Sequence, residues 1–214
     1  MITRVLIGLN ALTFVYEFFK IGPGIIGGNV SVQALYAAGA LVPLAVTQDH
    51  EYWRLVTGAF MHASLVHIAV NMFSLWFLGR FLESAMGSWR MLFVYAVSLL
   101  ASGWGVVHFS NPLDVTVGAS GAIFGLFGAL FALGLKLGER GMQLVKANIG
   151  ILVLNLAFTF FVPGISKAAH VAGLLAGFLI TLAIYYPPKP VRAYVVDAQS
   201  GQELESTIES PSGR

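Results

Sequence analysis

Six stretches of nearly unbroken apolar sequence constrain this chain most: about residues 4–22, 63–82, 89–109, 117–135, 143–162 and 168–186. Each approaches the roughly 20 residues that a helix rising about 1.5 Å per residue needs to cross a hydrocarbon layer. One water-facing domain could not hide that much apolar surface. Only 10% of the 214 residues are charged, where a soluble domain carries about a quarter. The fold class that follows is an all-α membrane protein, with a six-transmembrane-helix bundle over residues 1–186. Asn10 and Glu17 interrupt the first stretch. Bulky Phe14, Tyr16, Phe18 and Phe19 stand where a signal-peptide cleavage site would need small residues, which predicts a retained helix.

Basic residues orient the bundle. If the N-terminus lies inside, Arg4, Arg80, Arg90, Lys136, Arg140, Lys146, Lys189 and Arg192 flank the inner face, and only Lys20, Arg54 and Lys167 the outer. That bias predicts cytoplasmic termini. A long loop, 23–61, joins the first two helices, with Tyr52 and Trp53 suited to headgroup level. The segment 187–214 is polar. It alternates weakly around "QSG", but an isolated hairpin is marginal in water, so a mostly disordered cytoplasmic tail is expected. The formal charge of +2 gives no argument for a nucleic-acid partner. With no cysteine, thiolate chemistry, disulfides and cysteine metal sites are excluded.

Polar side chains inside membrane helices are costly and tend to mark function. In the predicted topology the second, fourth and sixth helices all run outside to inside, and their polar groups cluster near their starts. In "HASLVHIAVNMFS", residues 62–74, Ser64, His67, Asn71 and Ser74 step by three, four and three, so they share one face. His62 points elsewhere, toward the first loop. In "GASG", 118–121, Ser120 stands between Gly118 and Gly121, and Gly125 and Gly128 extend a thin surface suited to close helix approach. In "HVAGLLAG", 170–177, His170, Gly173 and Gly177 form a matching stripe. Each feature alone has a packing explanation. Together they bring a hydroxyl and an imidazole to one depth on facing helices, as a nucleophile and its base require.

These three motifs, with "EYWR" before the second helix, resemble those of the rhomboid intramembrane serine proteases over about residues 50–186. The resemblance implies Ser120 as nucleophile and His170 as general base. It implies His67, Asn71 and the Ser120 N–H as the oxyanion site, with His62 hydrogen-bonding nearby and Glu83 as a carboxylate near the inner end of helix two. Phe124 departs from the pattern, because some members place a tyrosine beside the catalytic histidine. Gly118, Gly121, Gly173 and Gly177 complete the supporting set.

No acidic residue lies at matching depth, so a Ser–His dyad oriented by helix packing is predicted, with neither metal nor other cofactor. The expected partners are the lipid bilayer and membrane-protein substrates. Cutting needs extended backbone, so their transmembrane segments should be weakened near the outer face. The expected location is a cell membrane, in keeping with a prokaryotic plasma membrane. Rival readings are a non-enzymatic relative that retains helices, a conduit through His67, Asn71 and His170, and a metalloprotease. The first would lack Ser120 or His170. The second needs a polar lining continuing inward, and the third an HExxH pair; the sequence has neither.

Overall fold

The computed structural model describes residues 1–161, 164–187, 191–196 and 203–208. Helices occupy all six apolar stretches. They are α1 (Ile2–Ile21), a composite second helix, α8 (Ser88–Phe109), α9 (Ser120–Lys136), α10 (Gly138–Phe161) and α11 (Lys167–Ile184). The second consists of α6 (Leu65–Ser74), a π turn at Leu75–Gly79, and α7 (Arg80–Met86). Among the described residues five helices are long and apolar enough to cross a membrane, and α9, at 17 residues, is a shorter apolar one. The protein is a multi-pass membrane protein.

The helices start where capping chemistry permits. Ser64 accepts the His67 N–H ahead of α6, and Ser166 accepts the Ala169 N–H ahead of α11. Each satisfies one donor that a helix start leaves unpaired. The stretch between α1 and α6 holds four short helices: α2 (Gly24–Gly27), α3 (Val32–Ala38), α4 (Pro43–Thr47) and α5 (Arg54–Thr57). Arg54 fastens this loop. Its buried guanidinium donates to the carbonyls of Tyr36 (2.9 Å) and Ala40 (2.8 Å), pairs with Glu51, and lies between the Tyr36 and Trp53 rings. Tyr52 and Trp53 are half exposed.

Helix α9 is the centre of the bundle. Ala122, Ile123, Leu126, Phe127, Ala129, Leu130 and Leu133 are all buried, against Leu75, Leu78, Val94, Tyr95 and Leu99 among others. Gly173 and Gly177 of α11 lie directly on the α9 main chain; a Cβ on either would strike the carbonyl of Gly121 or Gly125. The glycines of α9 divide their role. Gly128 meets the α11 main chain, whereas Gly121 and Gly125 make room for Ser102 and Ser98 of α8. Two facing glycine stripes were expected; in fact α9 is thin on two sides and packs closely against two helices.

At the end of the bundle remote from the first loop, the Glu83 carboxylate accepts from Ile2 N (2.6 Å), Thr3 N (3.1 Å), Thr3 Oγ1 (2.7 Å) and Ser88 Oγ (2.6 Å). One buried side chain thus ties together the starts of α1 and α8 and the end of α7. In the segment expected to be mostly disordered, β1 (Val191–Val196) pairs antiparallel with β2 (Glu203–Ile208), with Val191 opposite Ile208 and Val196 opposite Glu203. Runs such as Val-Arg-Ala-Tyr-Val-Val suit a strand, which is the local reason for the difference. Lys189 and the rest of the tail lie outside the described residues.

Candidate active site

The approach to Ser120 is held from outside its own helix. Leu41 and Thr116 exchange backbone hydrogen bonds (3.0 and 2.9 Å), and Gly118 N donates to Gly58 O at 2.9 Å. The first loop therefore fixes the segment that delivers the serine. Gly118 takes φ +125, a conformation that side-chain-bearing residues avoid. A Cβ there would also sit 2.8 Å from His67 Cε1, 2.9 Å from His67 Nε2 and 3.8 Å from Ser120 Oγ. The ring of His67 and the hydroxyl of Ser120 therefore border one small space.

Helix lengths set which residues of α9 and α11 lie level. Lys136 Nζ donates to Tyr185 O at 2.5 Å, which levels the far ends of α9 and α11. Helix α9, with 17 residues, is about 26 Å long, short of a hydrocarbon layer of about 30 Å. Ser120 is its first residue and is half-buried. His170 is the fourth residue of α11 and meets it there: His170 Nε2 is 2.7 Å from Ser120 Oγ.

The imidazole is held on two further sides. The Phe124 ring stacks on it, with centroids 4.1 Å apart and planes inclined by 11°. Its Nδ1 lies 2.7 Å from Thr159 Oγ1, a fully buried hydroxyl near the end of α10. Packing against α9 was the expected restraint. The Thr159 contact is a second restraint, from a neutral hydroxyl rather than an acidic residue.

His67 Nδ1 accepts a long hydrogen bond, 3.5 Å, from Ala63 N. That leaves Nε2 as the protonated donor, on the side facing Gly118. Asn71 is buried, and its Nδ2 donates one proton to His67 O at 2.9 Å, which leaves the second N–H available. The rings of His62 and His67 meet edge to face at 5.0 Å. His62 is fully buried, and burial, reinforced by neighbouring His67, pushes its imidazole down to about 3. Its backbone N–H donates to both oxygens of Glu17 (3.0 and 3.1 Å), a buried carboxylate on α1. Glu17 read in the sequence only as an interruption of an apolar run; here it holds the entry to the polar face of α6.

Fold and site together define a class: a polytopic helical membrane protein with a serine–imidazole pair at the start of its central helix, beside histidine and amide donors. Residues 49–187 match the Rhomboid domain. Rhomboid protease GluP of Bacillus subtilis (strain 168) is 35% identical over 162 residues, covering 75% of this chain and 31% of GluP. Rhomboid protease GlpG of Yersinia pestis (strain Pestoides F) is 36% identical over 141 residues, or 64% of this chain and 50% of that protein. GlpG of Serratia proteamaculans (strain 568) is 38% identical over a stretch of the same length. The chain thus spans half or less of the length of these relatives. It belongs to the rhomboid family.

Proposed function

We propose that this chain is an intramembrane serine endopeptidase that cleaves transmembrane segments of other membrane proteins through a Ser120–His170 dyad. The observation that carries the reading is the 2.7 Å approach of His170 Nε2 to Ser120 Oγ. It lies within the reach a base needs to take a hydroxyl proton. In this mechanism His170 accepts the Ser120 proton as Oγ attacks the peptide carbonyl, and the carbonyl π electrons move to oxygen. His170 then gives the proton to the departing amine as the C–N bond breaks. A water repeats the cycle on the acyl-enzyme. His67 Nε2–H, the free Asn71 N–H and the Ser120 backbone N–H stabilise the oxyanion. The start of α9 adds its unpaired N–H groups and positive dipole end.

The bundle crosses the membrane six times with both termini in the cytoplasm, as the basic flanks favour, which sets the dyad near the outer face. Residues 1–186 form the protease domain and 187–214 a cytoplasmic tail. Substrates are transmembrane segments whose helix is weakened near that face, since backbone must extend to enter the site. The location is a prokaryotic plasma membrane, a reading supported by the bacterial relatives. A fluorophosphonate tests the chemistry directly. It should label Ser120, fail to label His170→Ala, and be indifferent to chelators. Labelling of the His170→Ala protein at the normal rate would remove the dyad.

A further inference from the structure

We infer that Thr159 is a positioning residue that fixes the tautomer and the plane of His170; its catalytic consequence rests on the protease reading above. Thr159 Oγ1 has two partners: Asn155 O at 2.7 Å and His170 Nδ1 at 2.7 Å. A hydroxyl has one proton to donate. The carbonyl of Asn155 only accepts, so that proton is committed to it. Toward His170 the hydroxyl must therefore accept, which places the imidazole proton on Nδ1. A neutral imidazole carries a single N–H, so Nε2 is left with its lone pair facing Ser120 Oγ at 2.7 Å. That is the direction a general base needs. Were Thr159 turned to donate to Nδ1, the ring proton would sit on Nε2 and point at the nucleophile.

A threonine that bonds the carbonyl four residues back is ordinary in a helix. Here the other side of the same oxygen, fully buried, faces the candidate base. Among the described residues no carboxylate contacts His170, and the rest of its support is the Phe124 face. Stacking fixes the plane of a ring but not which nitrogen bears the proton. Thr159 supplies that second restraint. When His170 becomes doubly protonated, Nδ1–H still donates to Thr159, so the ring keeps its place while Nε2 carries the mobile proton.

The test uses the full chain in detergent, labelled with ¹³C and ¹⁵N in histidine only, with the His170→Gln spectrum assigning the His170 ring signals. Wild type and Thr159→Ser should show the proton on Nδ1, and Thr159→Val should move population to the Nε2–H form. Labelling of Ser120 by the fluorophosphonate should slow about 10-fold in Thr159→Val, the scale of one neutral hydrogen bond. The loss should fall on the inactivation step rather than on probe binding, and Thr159→Ser should recover most of it. A Thr159→Val protein with an unchanged tautomer and labelling rate overturns the inference, as does Thr159→Ser being as slow as Thr159→Val. Should the valine protein not fold, a wild-type His170 carrying its proton on Nε2 still overturns it. If wild type keeps the proton on Nδ1 yet Ser120 never reacts, the protease reading fails and the ring assignment stands.

Discussion

The rings of Phe124 and His170 lie face to face, 4.1 Å apart and 11° from parallel. Phe124 sits one turn after Ser120 on α9, so the helix that presents the hydroxyl also braces the imidazole. Aromatic pairs of this kind contribute about 0.5–1.5 kcal/mol beyond simple burial. Phe124→Leu should therefore reduce kcat on a fluorogenic transmembrane peptide by about 3–10-fold with little change in KM. Phe124→Tyr, which keeps the face, should stay close to the parent. Equal losses in the two variants would argue against bracing.

The donors beside the proposed dyad should show a gradient. Removing one oxyanion donor typically costs about 10²–10³-fold in turnover. Asn71→Ala should fall in that range, whereas Ser120→Ala should lose covalent chemistry altogether. Single-turnover cleavage measurements separate the two. Equally mild effects would mean that the roles are misassigned.

Glycine substitutions should differ according to what they meet. Gly121→Ala would collide with the Ser102 side chain, and Gly173→Ala with the α9 main chain. Overpacking of this kind costs about 1–3 kcal/mol. The first loss should be partly restored by adding Ser102→Gly, since that removes the obstructing hydroxymethyl. The second should have no such rescue. Thermal unfolding in detergent of the single and double variants reads both outcomes.

Acid should unfold the protein partly through His62. Its imidazole ordinarily titrates near 6.5, and in the fold burial, first, and His67, second, lower it to about 3. Between those values the unfolded chain binds a proton that the folded chain refuses, so stability falls as pH drops below about 6.5. His62→Gln removes this penalty. Its stability should fall less than that of the parent between pH 7 and 4, whatever its starting value, when followed by denaturant unfolding.

The helical plan was legible because spanning lengths of apolar sequence leave few alternatives, and the predicted segments lie within a few residues of the observed helices. The Ser120, His67, Asn71 and His170 neighbourhood could be anticipated from helical spacing and from a shared distance to helix starts. Thr159 could not, since one hydroxyl in an apolar helix usually bonds only its own backbone, and nothing local says that an imidazole 11 residues on will fold back to it. Depth was the available clue: Thr159 and His170 lie close to the two ends of one short connection. Glu17 was visible, but its partner is a main-chain N–H 45 residues away, which side-chain patterns do not reveal. Ser98 and Ser102 are four residues apart on α8, yet only the bundle shows that they fill the notches of Gly121 and Gly125. The π turn at Leu75–Gly79 and the short helices of the first loop depend on tertiary contacts and leave no comparable periodic signal.

Because Gly173 and Gly177 rest on the carbonyl ridge of α9, the separation between Ser120 and His170 is dictated by main chain meeting main chain. Such a spacer has no rotamers to sample and no flexible arm to yield. Ordering it exacts no side-chain entropy, and random replacement has almost no conservative option there, so variation of this molecule has to find its latitude away from that seam.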